Sequence, residues 1–212
     1  MEATQIRLTA DVYPAQEAFI VDEAPRVLFR GGIGSGKTTA GAIKVVETIA
    51  RTAGPTLGMV VAPTFAMLRD ATWRICLERW DPLVEYVNST HMQVRLIGDH
   101  EILFRSADEP DRLRGPNLHW AWIDEAGQLK DRSAYDIIAG RLRADQLRGG
   151  QLWITTTPRG FNWLYDLEQA GEFSVHVATT YANPFLPRAF VREIARQYTA
   201  AFARQELEAD YV

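Results

Sequence analysis

Gly31-Gly32-Ile33-Gly34-Ser35-Gly36-Lys37-Thr38 decides the reading of this chain. The stretch fits G-x-x-x-x-G-K-[ST] and lies between an apolar run, Arg26–Arg30, and a helical pattern over Gly36–Arg51. Glycines let the backbone curl so that successive N–H groups point at phosphate oxygens, through conformations that side chains forbid. The start of the following helix adds its partial positive charge. Gly31, Gly32, Ile33, Gly34, Ser35 and Gly36 are therefore the expected phosphate cradle. Lys37 reaches the β- and γ-phosphates, the Thr38 hydroxyl binds Mg²⁺, and Thr39 completes the set. The alternative is a glycine-rich surface turn, which the strand–loop–helix setting disfavours.

A site that hydrolyses a nucleotide needs an acid near the metal and a base near the attacking water. Both stand at the end of Leu118-His119-Trp120-Ala121-Trp122-Ile123-Asp124-Glu125. Asp124 is expected to hold Mg²⁺ directly or through water, and Glu125 to orient and deprotonate the water. A further strand, Gln151–Thr157, closes on Thr155-Thr156-Thr157-Pro158. Strand ends along one edge of such a sheet converge on the ligand crevice, so Thr157 is a candidate γ-phosphate sensor.

The rest of the chain fits this frame. Apolar strand candidates at Arg26–Arg30, Leu57–Ala62, Leu118–Asp124, Gln151–Thr157 and Ser174–Thr179 alternate with helical patterns at Gly36–Arg51, Thr64–Trp80, Asp131–Arg143 and Phe161–Gln169. That order predicts an α/β fold with a mostly parallel sheet flanked by helices. Apolar–polar alternation over Gln93–Ile97 and Glu101–Arg105, around Gly98-Asp99-His100, predicts an added antiparallel hairpin. Phe190, Ile194, Tyr198 and Phe202 recur every four residues and predict one last helical segment packed on the sheet. We expect a core over 1–180 and a small helical lid over 181–212.

Composition sets outer bounds. The chain has 212 residues, 47% apolar and 24% charged, enough for one domain with a real core and too apolar for disorder. A net charge of −4 argues against coating nucleic acid by bulk charge, while leaving room for local basic contacts. The N-terminus lacks signal-peptide character and no long apolar run exists, so no membrane role is expected. One cysteine, Cys76, excludes an internal disulfide and reads as a buried thiol. The four histidines share no metal-ligand spacing.

Taken together, Gln16, Gly31–Thr38, Asp124-Glu125 and Thr155–Pro158 resemble the ATPase domain of the large terminase subunit of tailed bacteriophages. The resemblance extends to Tyr13-Pro14-Ala15-Gln16, to Leu113-Arg114-Gly115, and to Asn183-Pro184 with Gln205–Glu208 and Asp210–Val212. It implies a P-loop NTPase of the additional-strand, Glu-base class with ATP and Mg²⁺ as cofactors. It implies adenine recognition by Gln16 with Tyr13. The implied partners are double-stranded DNA, a portal protein on a procapsid, a small terminase subunit and further copies in a ring, expected to be a pentamer. The isolated chain is expected to be a monomer and the setting the host cytoplasm. The nuclease half of such subunits is expected to be absent, and with it DNA cleavage.

An arginine from a neighbouring copy is expected to complete the site. Position in the family motif favours Arg114, with Arg112, Arg141 and Arg143 as alternatives. Arg30 either bridges the phosphates or pairs with an acid. Arg188, Arg192 and Arg196 share one helical face that contacts DNA, a neighbour or solvent. Two rival functions are a helicase-like remodelling ATPase, which needs a second motor domain, and an ATP-binding assembly switch without hydrolysis, against which an intact Glu125 counts.

Overall fold

The computed structural model describes residues 9–144 and 150–212. An eight-stranded sheet carries the fold: β1 (Arg26–Gly31), β2 (Leu57–Ala62), β3 (Val84–Asn88), β4 (Gln93–Leu96), β5 (His100–Ser106), β6 (Trp120–Asp124), β7 (Gln151–Thr156) and β8 (Ser174–Ala178). Their spatial order is β3-β4-β5-β2-β6-β7-β1-β8. All neighbours from β5 to β8 pair in parallel, and β3–β4 and β4–β5 pair antiparallel. β7 lies between β1 and β6, which is the insertion that defines the additional-strand class.

Strand side chains alternate between two faces, as the pleat requires. Val27 and Phe29 of β1, Trp120 and Trp122 of β6 and Trp153 of β7 enter one core layer. Helices α1 (Pro14–Val21), α2 (Lys37–Ala50) and α4 (Trp73–Trp80) cover that layer. Leu28, Ala121, Ile123, Leu152 and Ile154 enter the other, beneath α5 (Ser133–Ala139) and α6 (Trp163–Gln169). The strands that flank the site are thus buried on both faces, as their nearly continuous apolar sequences require.

The hairpin is added to the main sheet as expected: β4 and β5 pair antiparallel and β5 joins β2 in parallel, with β3, which the sequence did not mark, extending the edge beyond them. Three expectations need correction. Residues 64–80 form a helix interrupted by a π turn: α3 (Phe65–Met67), Leu68–Thr72 in π geometry, then α4. The helix read as Asp131–Arg143 is only α5, so Arg141 and Arg143 lie beyond it. The C-terminal stripe is two helices, α7 (Arg188–Gln197) and α8 (Ala200–Glu208), because Thr199 turns extended and caps α8 by accepting from the Phe202 amide. No residue of α7 is buried, whereas α8 anchors through Leu207. Cys76 is fully buried, as expected. Among the described residues no helix is long and apolar enough to cross a membrane.

Lys44 on α2 is a buried cation that staples α1. Its Nζ donates to the carbonyls of Phe19 (3.0 Å), Ile20 (3.2 Å) and Asp22 (2.6 Å), taking up acceptors left over at the end of α1. Burial pulls its pKa down to about 8. Lys44→Met is expected to lower stability by about 1–3 kcal/mol, because three carbonyls lose their donor. Urea unfolding checks this, and an unchanged midpoint would contradict it.

Candidate active site at the carboxyl edge of the sheet

β1 runs out at Gly31 and the chain curls through Gly34 and Gly36 before α2 begins at Lys37. Gly36 stands at φ 75, a left-handed position that a side chain resists. Gly32 is constrained by space: a Cβ there would lie 2.5 Å from Thr180 Oγ1 and 2.7 Å from the Glu206 carbonyl oxygen. The loop is clasped by the C-terminal segment, since the Ile33 amide donates to the Glu206 carbonyl at 2.6 Å.

Two strands away, β6 ends at Asp124, in register with Thr155 on the intervening β7. Asp124 is buried and gathers three hydroxyls. Thr155 donates to Oδ1 at 2.7 Å, Thr72 to Oδ2 at 2.8 Å, and Thr38 approaches Oδ2 at 3.2 Å. Trp122 Nε1 donates to Thr155 Oγ1 at 2.7 Å and fixes that hydroxyl in turn. Burial, then the Glu125 charge, pushes the Asp124 carboxyl up to about 6. A buried carboxylate in that condition is stabilised by a cation.

Glu125 follows in the left-handed region at φ 53, ψ 40. A bulky residue held there is strained, and such strain gathers at functional sites. Its carboxylate sits 3.5 Å from Lys37 Nζ and accepts the Thr157 amide at 3.4 Å. Lys37 Nζ also donates to the Gly32 carbonyl at 3.2 Å. The strand turn therefore aims Glu125 at the loop lysine while Asp124 stays on the loop threonine.

The structure brings together Lys37, Thr38, Asp124 and Glu125. Tyr13 and Gln16 reach the same loop from the start of α1: Tyr13 OH donates to the Ser35 carbonyl at 2.7 Å and Gln16 Nε2 to the Gly36 carbonyl at 3.1 Å. Of the three threonines, Thr155 holds Asp124, Thr156 accepts the Gly127 amide, and Thr157 contributes its amide to Glu125. The arginines stand apart. Arg114 pairs with Asp111 (2.8 Å), Arg112 with Glu109 (2.8 Å), and Arg143 donates to Asn117 (2.7 Å). Arg30 takes the acid: it pairs with Glu168 at 3.5 Å, donates to the Ala209 carbonyl and lies against the Tyr211 ring. Arg188, Arg192 and Arg196 are exposed on α7. Among the described residues no arginine side chain bonds to Gly31–Thr38, Asp124 or Glu125.

Sequence reasoning missed Thr72 and Thr180, and marked Asn183 only as part of the family resemblance, without its contact to the loop. Thr180 Oγ1 donates to the Ile33 carbonyl and Asn183 Nδ2 to the Gly34 carbonyl, each at 2.7 Å. Thr72 gives no sequence signal, because its placement depends on the π turn, a device that re-aims helix residues near functional sites.

The donors present suit Mg²⁺. A hydroxyl and a carboxylate lie together, and among the described residues no cluster of three or more His, Cys, Asp or Glu forms an all-protein cage. Mg²⁺ keeps several waters and is held by one or two such groups plus substrate phosphates.

The model of the phage terminase large subunit family matches residues 24–205. The chain belongs to that family. It is 29% identical over 154 residues to the large terminase subunit of Thermus virus P23-45, covering 62% of this chain and 30% of that protein. The chain thus spans about 30% of the length of the curated terminase it matches. Its fold is that of the large terminase ATPase domain of Thermus phage P74-26, with a TM-score of 0.75 at 21% identity over 95% of this chain and 94% of that one. The large terminase of a thermophilic bacteriophage, solved in complex with ADP, superimposes with a TM-score of 0.78 at 18% identity, covering 93% of this chain and 53% of that one.

Proposed function

We propose that this terminase chain binds ATP with Mg²⁺ at the Gly31–Thr38 loop, hydrolyses it, and so powers movement of viral double-stranded DNA into a procapsid. The observation that carries the reading is the pairing of loop and strand end: Lys37 3.5 Å from Glu125, with Thr38 3.2 Å from Asp124. Glu125 is the general base. Lys37 leaves it for the phosphates and frees its carboxylate to take a proton from water. Thr38, backed by Asp124, would hold Mg²⁺, which supplies charge neutralisation between the phosphates. Thr155 and the Thr157 amide tie both acids to the end of β7, so a change at the γ-phosphate reaches Pro158 and α6. Family membership and the ADP complex of the thermophilic phage relative support the nucleotide.

The family resemblance supports the remaining parts of the proposal. Residues 1–180 form the motor core and 181–212 a lid. The working form is a homo-oligomeric ring, a pentamer, on the portal of the procapsid, fed by the small subunit in the host cytoplasm; the free chain is a monomer. Arg114 enters the neighbouring site. Arg114→Ala is then expected to spare ATP affinity and to lower ring ATPase by about 10³-fold or more. In mixed rings the variant must disable its neighbour's site, and loss confined to its own site would remove Arg114 from this role.

Phosphate release from ATP by the purified chain tests the reading. Slow, Mg²⁺-dependent release that rises on assembly is expected. Nucleotide binding with release no faster than background, assembled or not, would favour an assembly switch.

A further inference from the structure

Four consecutive carbonyls of the phosphate loop are each held by a different side chain. Thr180 Oγ1 donates to Ile33 O at 2.7 Å, Asn183 Nδ2 to Gly34 O at 2.7 Å, Tyr13 OH to Ser35 O at 2.7 Å and Gln16 Nε2 to Gly36 O at 3.1 Å. Two of the donors come from the start of α1 and two from the turn after β8. A trans peptide unit is planar, with its C=O and N–H on opposite sides. Holding the carbonyls of Ile33, Gly34, Ser35 and Gly36 therefore fixes, in each peptide unit, the opposite direction of the amide of Gly34, Ser35, Gly36 and Lys37. The Ser35 amide is spent within the loop, on the Gly32 carbonyl at 3.1 Å. Those of Gly34, Gly36 and Lys37 belong to the cradle.

The four donors are themselves fixed. Thr180 is fully buried, with Tyr13 5% and Gln16 3% exposed. Gln16 Oε1 accepts the Tyr13 amide at 3.4 Å, and Asn183 Oδ1 accepts the Phe185 amide at 2.9 Å. Each amide side chain thus has its oxygen on an N–H and its nitrogen on a carbonyl, so flipping either would set oxygen against oxygen. Burial pushes the Tyr13 phenol up to about 12, which keeps it a donor.

We infer that Tyr13, Gln16, Thr180 and Asn183 are positioning residues that preset the phosphate cradle. This rests on the nucleotide reading above. A loop shaped before its ligand arrives loses less freedom on binding, so the four donors raise affinity for any polyphosphate, whatever base it carries. Because two of them follow β8, the cradle is complete only while the 180–183 turn is docked.

The test measures displacement of a fluorescent ADP by unlabelled ADP and by inorganic tripolyphosphate, with Mg²⁺, on the full chain. Tyr13→Phe, Thr180→Val, Asn183→Asp and Gln16→Glu are each expected to weaken ADP and tripolyphosphate alike, by about five- to tenfold. Thr180→Ser, which keeps the hydroxyl, is expected to restore wild-type binding. Tyr13→Phe and Thr180→Val remove little volume, so they decide the matter if Gln16→Glu fails to fold. Gln16→Glu that weakens ADP while sparing tripolyphosphate would remove Gln16 from the set. Wild-type affinity in Tyr13→Phe and Thr180→Val would overturn the inference as a whole. Wild-type protein that binds neither ligand would refute the nucleotide reading itself.

Discussion

Glu125→Gln will bind ATP and not turn it over. The amide keeps the size of the carboxylate and still accepts the Thr157 amide, so the end of β6 and the left-handed turn at residue 125 remain in place. It has no basic oxygen with which to take a proton from water. General-base catalysis contributes about 10²–10⁴-fold, and hydrolysis should fall by at least that factor. Removing the charge beside Lys37 also removes the ion pair that competes with phosphate for its ammonium, so ATP should bind as tightly as in wild type or tighter. Parallel measurement of equilibrium binding and phosphate release separates the two effects. Equal release by variant and wild type would take the base assignment away from Glu125.

Lys37→Ala is expected to act earlier, on binding. Lys37 is 7% exposed, and its ammonium bridges the Gly32 carbonyl and Glu125, so the variant loses the phosphate cation and leaves Glu125 unpaired beside Asp124. A charge-assisted hydrogen bond contributes about 1.5–3 kcal/mol, and an uncompensated carboxylate facing the phosphates adds repulsion. ATP affinity should fall by about 100-fold or more, with ADP less affected because the γ-phosphate contact is gone from it. Titration calorimetry reads both ligands, and undiminished ATP affinity would contradict the cradle.

The sequence pattern carried the parts of the fold where burial is two-sided. β1, β2, β6 and β7 have apolar centres because helices cover both faces, and the glycines and Lys37-Thr38 can serve few purposes between a strand and a helix. Edge and surface elements left a weaker trace. β3 exposes Glu85, Tyr86 and Val87, so no alternation marks it. The break between α7 and α8 was signalled by Thr199, a capping residue type, and masked by the four-residue recurrence of Phe190, Ile194, Tyr198 and Phe202.

The site was legible where chemistry restricts residue type, and illegible where it depends on distance. Thr38, Asp124 and Glu125 are named by their motifs. Thr72 reaches Asp124 only because a π turn rotates it inward. Thr180 and Asn183 act on backbone carbonyls nearly 150 positions away, through ordinary side chains. Arg30, adjacent to the loop, is drawn instead to Glu168 and Tyr211.

A crystal structure of the chain with Mg²⁺ and ATP-γ-S addresses the central claim most directly. The account predicts phosphates along the amides of Gly34, Gly36, Lys37 and Thr38, Lys37 Nζ transferred from Glu125 to the β- and γ-phosphates, and the Glu125 carboxylate facing a water in line with the γ-phosphate. Nucleotide bound elsewhere, with Lys37 still on Glu125 and the Gly32 carbonyl, would contradict it.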